Sequence, residues 1–252
     1  MSDMVKETLY LLEIFCEKIG PLGITEISNI MIESKSSIFK KIQTLLDLGF
    51  IMQDQDSKKY RLTTKFLELV NKSLESYHSK TNINSYLKLI TEKTGESSYF
   101  GIKNQNNRLI YIDINRSNSL VVINTNIGDS PLPHCTAHGK ALLAFLDMNS
   151  IEDVIKGGLE KFTKNTITDK NRLLEELRKI REIGYAIDNE EREVGFKCIA
   201  APVFNSKKEV IGAIGISGTT RRFTQEKIRK FAESVKEIAD KISINIGNDL
   251  LF

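Results

Sequence analysis

The chain has 252 residues, 40% of them hydrophobic, enough to bury the cores of two ordinary domains and too many for a disordered tail. Its 36 basic and 33 acidic side chains leave a formal net charge of +3, so overall charge does not mark a nucleic-acid binder and any basic footprint has to be local. No run approaches the ~18 consecutive apolar residues that span a bilayer, and Met1-Ser2-Asp3-Met4 is not a basic segment leading into an apolar one. These features predict a cytoplasmic protein with no membrane partner. Cys16, Cys135 and Cys198 are odd in number and far apart, which fits neither a disulfide framework nor a close-spaced zinc motif, so reduced thiols and no cofactor are expected.

The first 75 residues read as short helices followed by a hairpin, and the remainder alternates strands with longer helices. Val5, Leu9, Leu12 and Cys16 recur at helical spacing over 5–18, and Gly20-Pro21 stops that helix. Thr25 is placed to cap a second helix carrying Ile27, Ile30 and Met31, and Ser34 to cap a third that ends at Gly49. On the third helix Ile38, Ile42, Leu45 and Leu46 form one stripe, while Ser36, Lys40, Gln43 and Thr44 project from the opposite side. Two short strands around 54–58 make a hairpin, 64–77 a connecting helix, and 78–84 the expected boundary. Beyond it the pattern predicts a helix over 83–94, strands over 98–103, 109–114 and 120–125, an apolar helix from Thr136, an amphipathic helix over 173–184, strands over 186–188, 198–204 and 210–217, and a closing helix over 225–247. There is no internal repeat.

A short helix, a turn, a second helix with a free polar face and a hairpin follow the order of a winged helix-turn-helix. From 34 to 65, Lys35, Lys40, Lys41, Lys58, Lys59, Arg61 and Lys65 stand against only Asp47, Asp54 and Asp56, whereas the first 75 residues as a whole carry ten basic and eleven acidic side chains. The positive charge is thus concentrated on the proposed reading surface, as phosphate contact requires. Ser36, Ser37, Phe39, Lys40 and Gln43 are the candidates for base edges or the groove, and Lys35, Lys41, Lys58 and Lys59 for phosphates. Gln43 has the amide that pairs with adenine, whereas Lys40 lacks the planar fork of an arginine. A surface helix and hairpin with ordinary solvated lysines shares this pattern, as do small trihelical interaction modules.

Gly23 to Ser28, Ser34-Lys35-Ser36-Ser37-Ile38-Phe39-Lys40, Leu45 to Phe50 and Lys59-Tyr60-Arg61-Leu62 together resemble the DNA-binding domain of IclR-type transcriptional regulators. The likeness continues through Pro133-His134-Cys135-Thr136-Ala137-His138-Gly139-Lys140-Ala141, Gly184 to Asp188, Glu190-Glu191, Gly195, Cys198 to Val203 and Ile216-Ser217-Gly218, in the order of that family. The resemblance implies an α+β chain. An N-terminal winged helix-turn-helix DNA-binding domain with its connecting helix would occupy 1–77, and a C-terminal GAF-like effector-binding domain 78–252. It implies a homodimer or homotetramer on palindromic double-stranded DNA, a small organic acid as effector, and no enzymatic activity. Asp188 to Glu191, Arg222-Phe223 and Asn165 to Thr168 are most similar to regulators of keto-deoxy sugar acid and pectin breakdown. Two positions depart from the family: Lys35 to Lys40 stands where Lys-Ser-Thr-Val-Tyr-Arg is usual, and Gly215-Ile216-Ser217 where Ser-x-Ser is frequent.

Thr136 opens an apolar helix, so the amides of Ala137 and His138 are expected to face an anion. By the resemblance, Asp188, Cys198 and Ser217 complete an effector pocket walled by Leu120, Ile123 and Phe196, with Asp188 on hydroxyls rather than on the carboxylate. Taken singly, Cys198 reads as a small buried hydrophobe, Ser217 as a strand-end hydroxyl and Asp188 as a turn residue. Gly139-Lys140 is not a phosphate loop, because His134 replaces the required Gly and Ala141 the Ser or Thr. The alternative function is a metal-dependent sensor or enzyme using His134, His138 and the thiols, although their spacing matches no strong ligand motif.

Overall fold

The computed structural model describes residues 2–18 and 20–246, which divide into two compact units, Met1–Glu75 and Ser76–Phe252. In the first, helices α1 (Ser2–Glu17), α2 (Ile24–Met31) and α3 (Lys35–Asp47) precede strands β1 (Ile51–Gln53) and β2 (Tyr60–Leu62). Leu11, Phe15, Ile27, Ile38, Ile42, Leu45, Ile51 and Tyr60 form its core, so the stripe read along α3 is the buried one. Ser34 caps α3 by accepting from the Ser37 amide at 3.3 Å, and Gly49, at φ +74°, takes the left-handed conformation that ends the turn after it. The cap of α2 is Gly23, not Thr25: the Glu26 carboxylate folds back onto the Gly23 amide at 2.6 Å, and Thr25 lies inside the first turn. The hairpin is closed by Asp54, whose Oδ1 accepts from the amides of Asp56 and Ser57, and Leu22 pairs with Tyr60 along the free edge of β2.

Helix α4 (Lys65–Thr81) contains the junction between the units. In the second unit a five-stranded antiparallel sheet runs in the order β4-β3-β7-β6-β5, built from β3 (Ser97–Lys103), β4 (Leu109–Asn115), β5 (Ala186–Asn189), β6 (Phe196–Phe204) and β7 (Val210–Thr219). Because side chains alternate across a sheet, Cys198, Ala200 and Ala213 join a core with helices α6 (Ala137–Leu143) and α8 (Lys170–Ile183). The intervening Ile199, Ala201, Val203, Ile214 and Ile216 are also buried, on the side where α5 (Ile83–Thr94) and α9 (Gln225–Ile246) pack. The second unit is thus a sheet covered by helices on both faces, and with the winged first unit it makes a mixed α+β chain. Among the described residues no helix is long and apolar enough to cross a membrane.

Among the described residues one expected strand is absent and one helix is added. Residues 120–125 form no strand, and the chain from 116 to 132 has no regular secondary structure. Its apolar residues do not alternate in and out, since Leu120 and Val121 are both exposed. A helix not anticipated, α7 (Met148–Lys156), is capped by the Asp147 side chain on the Ser150 amide at 3.0 Å. The expected end of the last helix at Gly247 lies outside the described residues.

Candidate functional site

In the first unit, Lys35, Ser36, Phe39, Lys40 and Gln43 are exposed along α3, and Lys58 at the hairpin turn. Phe39 is 51% exposed, an unusual position for an aromatic side chain on a helix whose core stripe is already filled. Gln43 donates to Asp47 at 2.8 Å on the surface. Ser37 turns inward instead and donates to Glu33 at 2.8 Å.

Lys41 is not a surface residue. It is 2% exposed, and its ammonium contacts Glu33, Glu7 at 2.9 Å and Ser37 at 3.1 Å. Position 41 lies next to the buried Ile38 and Ile42 on the helix surface, and the two carboxylates beside it satisfy an ammonium that burial would otherwise penalise. Its phosphate role is therefore withdrawn, and Lys41 instead fastens α3 to α1 and to the end of α2. Lys59 is half-buried and pairs with Glu26 of α2 at 3.1 Å, both side chains keeping water access.

The second unit holds a cavity of about 370 Å³. Ala137, His138, Asp188, Cys198, Ser217, Ile123 and Phe196 all line it, brought there by the start of α6, the facing ends of β5, β6 and β7, and the irregular chain after β4. Cys198 and Ser217 are direct cross-strand partners, as are Asp188 and Cys198. Leu120 is the exception: it stands fully exposed and is no part of the wall. The expected strand would have aimed it inward, but the irregular chain turns it to solvent.

The start of α6 is fixed by Thr136, whose hydroxyl accepts from the Gly139 amide at 3.1 Å while its carbonyl accepts from Lys140 at 2.9 Å. The amides of Ala137 and His138 precede the first bonds within the helix. Gly139 is required because a Cβ there would lie 2.4 Å from Pro133 Cα, where the 3-10 turn Pro133–Cys135 packs on the helix. Lys140, wholly buried, donates to the Ile187 carbonyl at 2.7 Å and pairs with Glu191. The Glu191 amide in turn donates to Asp188 Oδ1 at 2.7 Å. The lysine of the Gly-Lys pair is thus a brace under Asp188, not a ligand group.

Burial governs the electrostatics of the cavity. It pushes the Asp188 carboxyl up to about 7, helped by the neighbouring charge of Glu191 and opposed by the Glu191 amide bond and Lys140. Desolvation brings His138 down to about 4, so its ring is neutral at pH 7, edge-on to Tyr111 with centroids 5.2 Å apart and with Nε2 3.2 Å from the Tyr99 carbonyl. The Cys198 thiol is pushed well up by the same burial and is inert as a nucleophile.

Residue reasoning did not find Tyr99, Tyr111, Ser130 or Arg192, which also line the cavity. The two tyrosines follow from alternation along β3 and along β4 as far as the bulge beyond Tyr111, which puts both on the face toward α6. Arg192 lies over the Phe162 ring at 3.9 Å, a pairing no local pattern announces. Among the described residues the buried hydroxyls of Tyr99, Ser130 and Ser217 make no well-formed hydrogen bond, although Ser97 stands beside the first and Cys198 beside the last. No group of three or more His, Cys, Asp or Glu among the described residues is placed to hold a metal ion, and His134 is engaged with the Glu160 carbonyl at 2.9 Å.

Comparison with known proteins places this architecture. Residues 71–244 match the family described as "Bacterial transcriptional regulator IclR C-terminal". The HTH-type transcriptional regulator KdgR of Escherichia coli is 33% identical over 227 residues, covering 90% of this chain and 86% of that protein. XynR of the same organism is 30% identical over 244 residues and covers 96% of each. Among solved structures, the IclR protein of Thermotoga maritima superposes with a TM-score of 0.73 at 30% identity, over 98% of this chain and all of that one. These relatives are regulators rather than enzymes, and the chain belongs to the IclR family of bacterial transcriptional regulators.

Proposed function

We propose that the chain is a cytoplasmic, sequence-specific DNA-binding regulator whose second unit binds a small organic acid of the keto-deoxy sugar acid class, and that this ligand modulates operator binding. Residues 1–77 serve DNA and 78–252 the effector. In a homodimer or homotetramer, two copies of α3 enter successive major grooves of a palindromic operator. Ser36, Phe39, Lys40 and Gln43 reach the groove, Lys35 and Lys58 lie on phosphates, and Ser37 and Lys59 contribute at the edge of that surface. The effector carboxylate lies against the amides of Ala137 and His138, and its hydroxyls meet Asp188, Ser217 and Tyr99.

The observation that carries the effector reading is a cavity lined by Asp188 and by three residues, Tyr99, Ser130 and Ser217, whose buried hydroxyls make no well-formed hydrogen bond among the described residues. A buried polar group without a partner costs about 1–3 kcal/mol, and a ligand rich in hydroxyls, reached by small side-chain rotations, supplies partners for Tyr99 and Ser217. An Asp188 carboxyl titrating near neutrality fits the same ligand, because in its protonated form it donates as well as accepts. The resemblance of Asp188 to Glu191, Arg222-Phe223 and Asn165 to Thr168 to regulators of keto-deoxy sugar acid breakdown supports the choice of acid.

Selection of bound sequences from a random duplex pool by the full-length protein tests the DNA half, with a palindrome as the expected product. Calorimetry with 2-keto-3-deoxygluconate then tests the effector half. Ser217→Ala is expected to weaken that binding by about 5- to 20-fold, the loss of one buried hydrogen bond, and to leave operator affinity in the absence of ligand unchanged. No enriched sequence with or without the acid, or a Ser217→Ala protein that binds it as the parent does, overturns the corresponding half.

A further inference from the structure

Between β4 and the 3-10 turn Pro133–Cys135 the chain crosses the cavity as an irregular strap that supplies Ile123, Asn124, Thr125, Asp129 and Ser130 to its wall. The far end of the strap is held by backbone pairing: Tyr111 donates to Asp129 and Gly128 donates to Tyr111, at 3.0 and 2.8 Å. Its near end is held by side chains alone. The Ser117 amide donates to the Ser97 hydroxyl at 3.0 Å, and the Arg222 guanidinium reaches across to donate from Nη1 to the Ser119 hydroxyl. Through Nη2 the same guanidinium is tied to Glu96 at 2.6 Å.

Glu96 is 2% exposed, and its carboxylate crosses β7 so closely that a Cβ on Gly218 would lie 2.2 Å from its Oε2. The absence of a side chain at 218 is thus what admits Glu96, and Glu96 aims Arg222. A guanidinium suits the task because its planar fork serves two acceptors in fixed directions. Arg222 is five residues beyond Ser217 along the chain from β7, so the latch and the cavity share a support. Arg222 itself does not line the cavity.

We propose that Arg222, aimed by Glu96, is a positioning residue for ligand binding: it latches the strap at Ser119 and so sets the outer wall of the cavity without touching the ligand. This rests on the cavity being the effector site. Between the two anchors the wall is held by Ile123 packed against the core and by Arg116, which donates to the Thr125 carbonyl at 2.8 Å. No regular hydrogen-bond ladder ties it to the sheet, so freeing the near anchor loosens 117–122 first and lets the wall shift while the sheet beneath stays fixed.

The experiment uses the full-length protein and four forms: the parent, Ser119→Ala, Ser119→Thr and Arg222→Lys. Ser119→Ala removes the latch acceptor together with the Ser119 bond to the Val121 carbonyl at 3.1 Å but keeps the Arg222 and Glu96 pair, and Ser119→Thr restores the hydroxyl. Arg222→Lys keeps a cation beside Glu96 and the Ser119–Val121 bond but gives up the fork, and is expected to loosen the strap as Ser119→Ala does. A strap in Arg222→Lys as protected as the parent's would assign the effect to the Val121 bond and overturn the latch. Amide hydrogen exchange is read over 117–127 and over α6 and β6, and 2-keto-3-deoxygluconate binding by stopped flow. Ser119→Ala is expected to speed exchange in the strap about 10-fold with α6 and β6 unchanged, and to raise the ligand dissociation rate by about 5- to 20-fold with a smaller change in association. Ser119→Thr is expected to restore both. Strap exchange that does not change, that rises equally throughout the unit, or that rises with no effect on a ligand both proteins bind, overturns the proposal. Strap loosening in Ser119→Ala, reversed in Ser119→Thr, with no binding of the acid to any form supports the latch and overturns the assignment of the acid instead.

Discussion

Asp188 and His138 lie on the same cavity and are perturbed in opposite senses by the same cause. Burial raises the carboxyl from its ordinary value of 3.8 to about 7 and lowers the imidazole from 6.5 to about 4. Between pH 4 and 7 the folded protein therefore keeps a proton on Asp188 that the unfolded chain has released, so this residue's contribution falls as pH rises. Between pH 4 and 6.5 the unfolded chain holds a proton on His138 that the folded protein refuses, so that contribution grows as pH rises. The two slopes oppose each other, each reaching about 1.4 kcal/mol per pH unit at most. Asp188→Asn keeps an oxygen for the Glu191 amide and removes only the falling slope. Its unfolding free energy is expected to climb more steeply than the parent's from pH 4.5 to 6.5. Urea unfolding of both proteins across that range measures the difference, and parallel curves would falsify the burial argument. At this scale the sequence displayed Asp188, Cys198 and Ser217 as a set in family order, but not Tyr99 or Arg192, whose places depend on strands and rings brought together from distant segments.

Among the elements, α3 shows why charge read from a linear pattern misassigns a single lysine. Lys40 and Lys41 are adjacent in sequence and about 100° apart around the helix, so one projects to solvent and the other faces Glu7 and Glu33. Lys41→Ala is expected to cost about 1–3 kcal/mol of stability rather than the larger loss of a fully buried pair, because Glu7 is 43% and Glu33 20% exposed and both regain water. Lys35→Ala, at the exposed start of the same helix, is expected to leave the melting temperature alone, weaken operator binding and reduce the slope of log affinity against log salt by about 0.9, the release of one phosphate contact. Thermal melts and salt titrations on a fluorescent duplex separate the two. If both variants behaved alike in both assays, the division of α3 into a reading face and a fastening face would fail. The helices α3, α5 and α8 were legible because each repeats its apolar residues at the helical period and is followed by a glycine, and β6 and β7 because they are continuous apolar runs bounded by turn residues. The strap after β4 was not, since its shape is set by Arg222, Ser97 and Tyr111 from other segments and it has no period of its own.

For the whole molecule, an acid bound in the second unit and an operator bound to the first can influence one another only if one arrangement of the chain binds both differently from another. The sign of that coupling is not written in either site. Its symmetry is, because linkage requires that the factor by which the acid changes operator affinity equal the factor by which the operator changes affinity for the acid. On a palindrome read by two copies of α3, half-site centres are expected roughly 34 Å apart or a multiple of it, so a duplex with one half-site scrambled engages one first unit and not its mate. The acid is expected to change affinity for the intact palindrome by about 5- to 150-fold, the usual span of allosteric coupling, and affinity for the scrambled duplex by much less. Titrating 2-keto-3-deoxygluconate into the free protein, into its complex with the palindrome and into its complex with the scrambled duplex measures the reverse factor directly. Equal effects on the two duplexes would mean that the acid acts within a single winged unit rather than on the spacing of two, and coupling would then have to run down α4 of each chain separately.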